Sequence, residues 1–181
     1  MTSATSHEWG TQMAGLAKVA GNRGGSAKNQ EVVRRFIWEI ASISVHLEEL
    51  RQFWARALGI SGPQWMILMA LADLDKADGV PVNVVSKMLH VDPSFVTTQS
   101  KLLEKKGFLR RRPSATDARV VQMSLTDRTY KHLASLAAQQ EALDEFIFEE
   151  FDDRALTEFA DRLTALKNRL EKARLKIALD F

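Results

Sequence analysis

The run Arg110-Arg111-Arg112-Pro113-Ser114-Ala115-Thr116-Asp117-Ala118-Arg119 places four arginines around a short turn. Arginine stays charged at any ordinary pH. Its planar fork grips phosphate and enters narrow, electronegative grooves. From Pro93 to Arg119, seven lysines and arginines stand against Glu104 and Asp117, a net of +5. From Glu141 to Arg162, nine acids stand against Arg154 and Arg162, a net of −7. The whole chain of 181 residues carries only +2. A basic and an acidic region in a near-neutral chain suit a protein that meets phosphate with one end only. The chemistry on offer is polyanion binding. A helix-turn-helix followed by a two-stranded wing with an arginine at its tip is a device for gripping duplex DNA.

Other chemistries find little support. The chain has no cysteine, which excludes disulfides, zinc fingers and thiol redox switches. Its four histidines (His7, His46, His90, His132) lack ligand-like spacing, so no metal site is expected. There is no glycine-rich phosphate loop, nucleophile motif or recognisable pair of catalytic carboxylates, so neither an enzyme nor a cofactor is expected. No apolar run approaches the roughly 20 residues that span a bilayer. The N-terminus has no apolar secretory core. A cytoplasmic, nucleoid-associated protein without a membrane partner is expected.

The elements that must position the basic run follow from periodicity and punctuation. Residues 1–30 hold five of the nine glycines and read as a flexible tail. From Val33, apolar residues step by three and four through Phe36, Ile40, Ile43, Leu47, Leu50, Trp54 and Ala57, a long amphipathic helix stopped at Gly59. Ser61 with Gln64 forms a capping box for a helix running to about Asp75. That helix is apolar nearly all round, as a core helix is. Asp78-Gly79 and Pro81 read as a turn, followed by a short helix with Val84, Val85, Met88 and Leu89 inward. Asp92-Pro93 open the next helix, which Gly107 ends. Phe108 to Arg112 and Val120 to Leu125 read as the two strands of the wing. In the second, Val121, Met123 and Leu125 alternate with Gln122 and Ser124. Thr126 caps a long helix with Leu133, Leu136, Leu143 and Ile147 inward. Asp152-Asp153 mark a break, and the last helix carries Leu156, Phe159, Leu163, Leu166, Leu170, Ala173 and Ile177 as a seam for another helix.

The expected fold is mainly α with a small β-wing. It comprises a tail (1–30), a dimerisation helix (31–60), a winged helix-turn-helix lobe (61–125) and C-terminal dimerisation helices (126–181). A central module of about 65 residues cannot cover all three terminal stripes. A two-fold homodimer, in which first and last helices of both chains interlock, resolves this.

Taken in order, several stretches resemble the MarR family of bacterial winged-helix regulators across roughly Val33 to Leu179. They are Ser61-Gly62-Pro63-Gln64-Trp65, Asp92-Pro93-Ser94-Phe95-Val96-Thr97, Leu103-Glu104-Lys105-Lys106-Gly107-Phe108-Leu109-Arg110-Arg111, Asp117-Ala118-Arg119 and Ser124-Leu125-Thr126. The resemblance implies that the helix from Pro93 reads the major groove, with Ser94, Thr97, Thr98 and Gln99 nearest the bases. Gln99 would pair with adenine through both amide atoms. Lys101, Lys105 and Arg112 would neutralise backbone phosphate. It further implies that Arg119 enters the minor groove while Asp117 holds its guanidinium. The chain departs from the family where Thr98 and Leu102 replace basic residues, and where Gln99 replaces an apolar one. Both basic losses weaken the phosphate grip of this helix.

Family members commonly bind small aromatic acids or phenolics between the dimer helices and the DNA lobe. The residues of this chain that such a cleft would use are Arg35, Trp38, Ser42 and His46, with Trp65 and Met69 from the next helix. Trp38, Ser42 and His46 stand four apart, so one helix face offers an aromatic wall, a hydroxyl and an imidazole. The resemblance therefore implies a repressor released from a pseudo-palindromic operator by a small aromatic carboxylate or phenolic effector. The alternative is a winged-helix architectural or interaction protein, or an activator, without ligand control.

Overall fold

The computed structural model describes residues 27–74 and 79–180. Most of the expected N-terminal tail, and Asp78 of the expected turn, lie outside the described residues. Seven elements are long: α1 (Ala27–Ala57), α2 (Gly62–Asp73), α4 (Pro93–Lys105), β2 (Leu109–Pro113), β3 (Val121–Leu125), α5 (Asp127–Phe148) and α6 (Asp153–Asp180). Two are short, β1 (Val80–Pro81) and α3 (Val82–Leu89). Helix α1 starts four residues before the dimerisation helix set by sequence, because Ala27 to Gln30 continue its helical turn.

The caps anticipated from sequence close the helices. The Ser61 hydroxyl accepts the Gln64 N–H at 3.4 Å, and Gln64 Oε1 accepts the Ser61 N–H at 3.3 Å. Asp92 Oδ1 accepts the Ser94 N–H at 2.7 Å, which seats the first turn of α4. The Ser94 side chain, and then this backbone N–H, hold the Asp92 carboxyl below the usual aspartate range. Thr126 accepts the Thr129 N–H at 3.3 Å and donates to the Gly107 carbonyl at 2.9 Å, so α5 begins tied to the root of β2. Gly107 takes φ +78, the left-handed stop that ends α4. Ser61→Ala removes one of these caps. It should destabilise the fold by about 1 kcal/mol (range about 0.5–2), read as a lower urea midpoint at unchanged slope.

Several expectations are corrected. Of the four α3 residues read as inward from sequence, Val84 and Met88 are exposed and only Val85 is fully buried. The wing belongs to a three-stranded antiparallel sheet of order β1-β3-β2, in which Val80 faces Met123 and Pro81 faces Gln122. The stretch around Pro81 reads as a turn in sequence because two residues are too short to show a period of two. Pairing also explains Gly79, whose φ is +82 and whose missing Cβ would lie 3.0 Å from the Met123 carbonyl oxygen. The register of the hairpin itself sets Leu109 against Leu125, Arg111 against Met123 and Pro113 against Val121.

The chain divides between Phe53 and Trp54. The second unit holds a core built from Ile67, Leu68 and Leu71 of α2, Val85 of α3, Val96 and Leu103 of α4, and Leu109, Met123 and Leu125 of the sheet. Leu133, Leu136 and Leu143 lean on that core, whereas Ile147, read as inward from sequence, is exposed. The α5–α6 corner is held by rings: Phe151 meets Phe148 edge-on at 6.5 Å and stacks on Phe159 at 6.1 Å. In the first unit, α1 shows solvent Val33, Phe36, Ile37, Trp38, Ile43 and Leu47. In the second, α6 shows Phe159, Leu170, Leu175 and Ile177. These stripes are apolar surface that the described residues leave uncovered.

Candidate nucleic-acid interface

Burial of Val96, Ser100 and Leu103 fixes which way α4 faces. Spacings of four and three along that inner row leave Ser94, Thr98 and Lys101 on the outer one, and all three are exposed. The Thr98 hydroxyl donates to the Ser94 carbonyl at 3.0 Å. It retains acceptor capacity but supplies no charge. Leu102 is exposed on the same side.

Thr97 is half-buried and turns toward the wing. There it lines a cleft of about 290 Å³ with Asn83, Pro93, Arg111, Arg119 and Val121. Arg119 is held in place by a two-pronged pair. Its Nε donates to Asp117 Oδ1 at 3.1 Å and its guanidinium NH2 to Oδ2 at 3.2 Å. The Arg119 backbone N–H also reaches Oδ1, at 3.0 Å. The Arg119 guanidinium, and then its backbone N–H, hold the Asp117 carboxyl below the usual aspartate range. The arginine side chain is 91% exposed, so the pair orients a cation that is free to meet a partner.

Two of the sequence-derived positions sit differently. Gln99 is half-buried, and its carbonyl oxygen accepts from Gln64 Nε2 at 3.0 Å. Reading adenine with both amide atoms means sharing or giving up that bond. Arg112 is exposed, but strand alternation places it with Arg110 on the face opposite Leu109 and Arg111. It therefore lies away from the cleft that gathers Thr97 and Arg119.

Sequence reasoning missed Arg111 and Asn83 as members of this cleft. Arg111 donates its backbone N–H to Glu104 Oε1 at 2.8 Å, and its buried Nε has no hydrogen-bond partner among the described residues. The available signal was Leu109: a core residue at the start of β2 puts the next residue but one on the same face.

The residues proposed for an effector fall in two units. On α1, Arg35 pairs with Glu39 at 3.7 Å and His46 with Glu49 at 3.2 Å. Ser42 is exposed, and Trp38 lines an apolar hollow of about 410 Å³ with Val33, Ile37 and Ala41. In the second unit, Trp65 is 3% exposed and belongs to the core, with Met69 half-buried beside it.

A sequence model of the MarR family matches residues 58–120. Over those residues the winged lobe is similar to the MarR family. A relative over part of the chain is the HTH-type transcriptional repressor MdtR of Bacillus subtilis, 37% identical over 60 residues. Those residues are 33% of this chain and 39% of MdtR, so the chain spans well under half of that relative. The fold is shared more widely. FabT of Streptococcus pneumoniae in complex with DNA aligns at TM-score 0.57 and 26% identity, over 80% of this chain and 99% of FabT. CouR of Rhodococcus jostii RHA1 bound to p-coumaroyl-CoA aligns at TM-score 0.64 and 18% identity, over 72% of this chain and 90% of CouR. The MarR winged-helix architecture therefore extends beyond the lobe that the sequence match covers.

Proposed function

We propose that this chain is a homodimeric, sequence-specific DNA-binding transcriptional regulator. It acts as a repressor that leaves a pseudo-palindromic operator when a small aromatic acid or related phenolic binds. The observation that carries the reading is the cleft where Asp117-held Arg119 stands beside Thr97, next to the exposed row Ser94, Thr98 and Lys101. An oriented, solvated arginine on a wing and polar side chains at the start of an outward helix are what minor- and major-groove contact require. The MarR match and the DNA complex of FabT support it. The uncovered stripes of α1 and α6 support a second copy as their partner. The p-coumaroyl-CoA on CouR, with the exposed Trp38, Ser42 and His46 row here, supports an aromatic effector. The chain reads as a regulator rather than an enzyme, acting in the cytoplasm on nucleoid DNA. No described helix is long and apolar enough to cross a membrane.

Footprinting should show two protected half-sites about 10 base pairs apart, and sedimentation should show a dimer at micromolar concentration. Protection of one asymmetric half-site by a monomer would sink the dimeric reading. Benzoates, cinnamates or their thioesters should raise the melting temperature and release DNA together. An architectural role is the competing reading, favoured by the uncharged Thr98 and exposed Leu102 on α4. Rising salt separates the two, since a specific regulator keeps its preferred site after random-duplex binding has collapsed.

A further inference from the structure

We propose that the C-terminal half of α6 is a second phosphate-binding surface that extends the grip of the winged lobe along the DNA backbone. The proposal rests on the DNA-binding reading above. From Arg162 to Lys176, α6 carries six lysines and arginines against Glu171 alone. Part of this basic stretch faces the helix-turn-helix. Lys167, Glu171 and Arg174 share the helix face that flanks the apolar stripe at Leu170, and line an open cleft of about 940 Å³ whose opposite wall includes Lys87 and His90.

The cleft also holds two acids, each with a local partner. Asp92 caps α4 through Ser94, and the Glu171 carboxylate faces the His90 ring at 3.5 Å. Lys87, Lys167 and Arg174 have no carboxylate partner among the described residues. These three cations outnumber the two carboxylates around the opening, which leaves it net positive and attractive to an anion from outside the chain.

The position of the cleft identifies the anion. Asn83 and Pro93 line this cleft and also the wing cleft that holds Arg111 and Arg119. The two clefts thus adjoin at the start of α4, which brings Lys87, Lys167 and Arg174 beside the wing cleft of Arg111 and Arg119. A small anion would need one closed pocket, whereas an extended cationic track matches a phosphate every few ångströms. The demand is also present, because Thr98 and Leu102 bring no charge to the outer row of α4.

The test is the salt dependence of full-chain binding to labelled duplex, read by fluorescence anisotropy. Lys167→Ala with Arg174→Ala should lower the slope of log K against log salt by about 0.9 for each phosphate that is no longer neutralised. Operator and random duplex should weaken by the same factor. Lys167→Arg with Arg174→Lys should keep the wild-type slope. Lys172→Ala with Lys176→Ala, which removes equal charge away from the cleft, should leave the slope unchanged. Should the cleft variant match wild type while Arg119→Ala weakens binding, the α6 surface is discarded and the DNA-binding reading stands. An equal drop in the Lys172 and Lys176 variant would assign the effect to bulk charge and overturn the proposal. If the wild-type chain retains no duplex at any salt, the DNA-binding reading fails first and this inference with it.

Discussion

Replacing Arg119 with alanine weakens binding to every duplex by about 1–3 kcal/mol, a loss of roughly 5- to 150-fold in affinity. The reason lies in how the side chain is held. Asp117 fixes the guanidinium with two prongs and leaves it 91% exposed, so the cost of ordering it is met before DNA arrives. The loss falls on all sequences alike, because a minor groove is read by width and potential more than by base identity. Asp117→Asn tests the same device from the other partner, since it removes the carboxylate and leaves Arg119 present but unheld. The pH dependence follows from the direction of the Asp117 shift. A carboxyl held below its ordinary range is fully ionised above that range, and the pairing is lost only as pH falls through the lowered value. Mobility-shift titrations between about pH 5 and 8 should therefore show no step from this pair. Wild-type affinity in Arg119→Ala would remove the wing from the mechanism.

The second large effect concerns stability. Leu103→Ala should cost about 2–5 kcal/mol, because Leu103 is wholly buried between α4 and the sheet and truncation leaves a cavity. Its neighbour Leu102 is 42% exposed, and Leu102→Ala should stay within about 0.5 kcal/mol. Urea denaturation of the two variants side by side measures the contrast. Similar midpoints would mean that α4 is rotated from the orientation that places Ser94, Thr98 and Lys101 outward, and the interface would have to be redrawn.

Much of this arrangement is legible in the sequence where one residue does a local job. Ser61, Asp92 and Thr126 announce helix starts because their oxygens satisfy backbone donors a few residues ahead. Gly107 announces a stop because its φ is positive. Val121, Met123 and Leu125 announce a strand because one of its faces meets the core. Strand β1 is not legible. Its two residues gain their conformation from Met123 and Gln122, more than forty positions away in sequence. The inward bond of Gln99 and the cleft-facing side of Arg111 are hidden for the same reason: each depends on a partner from another element. Residue type names the chemistry of a position. Tertiary neighbours decide which way that chemistry points.

Gln64 does two things with one amide: its oxygen closes the cap at Ser61 and its nitrogen reaches Gln99. A library that randomises Gln99 in search of new operator preferences will therefore edit the start of α2 as well. Most replacements strip a partner from a Gln64 that is only 6% exposed, so many clones will fail through stability before specificity is ever sampled. Retargeting should vary positions 64 and 99 together.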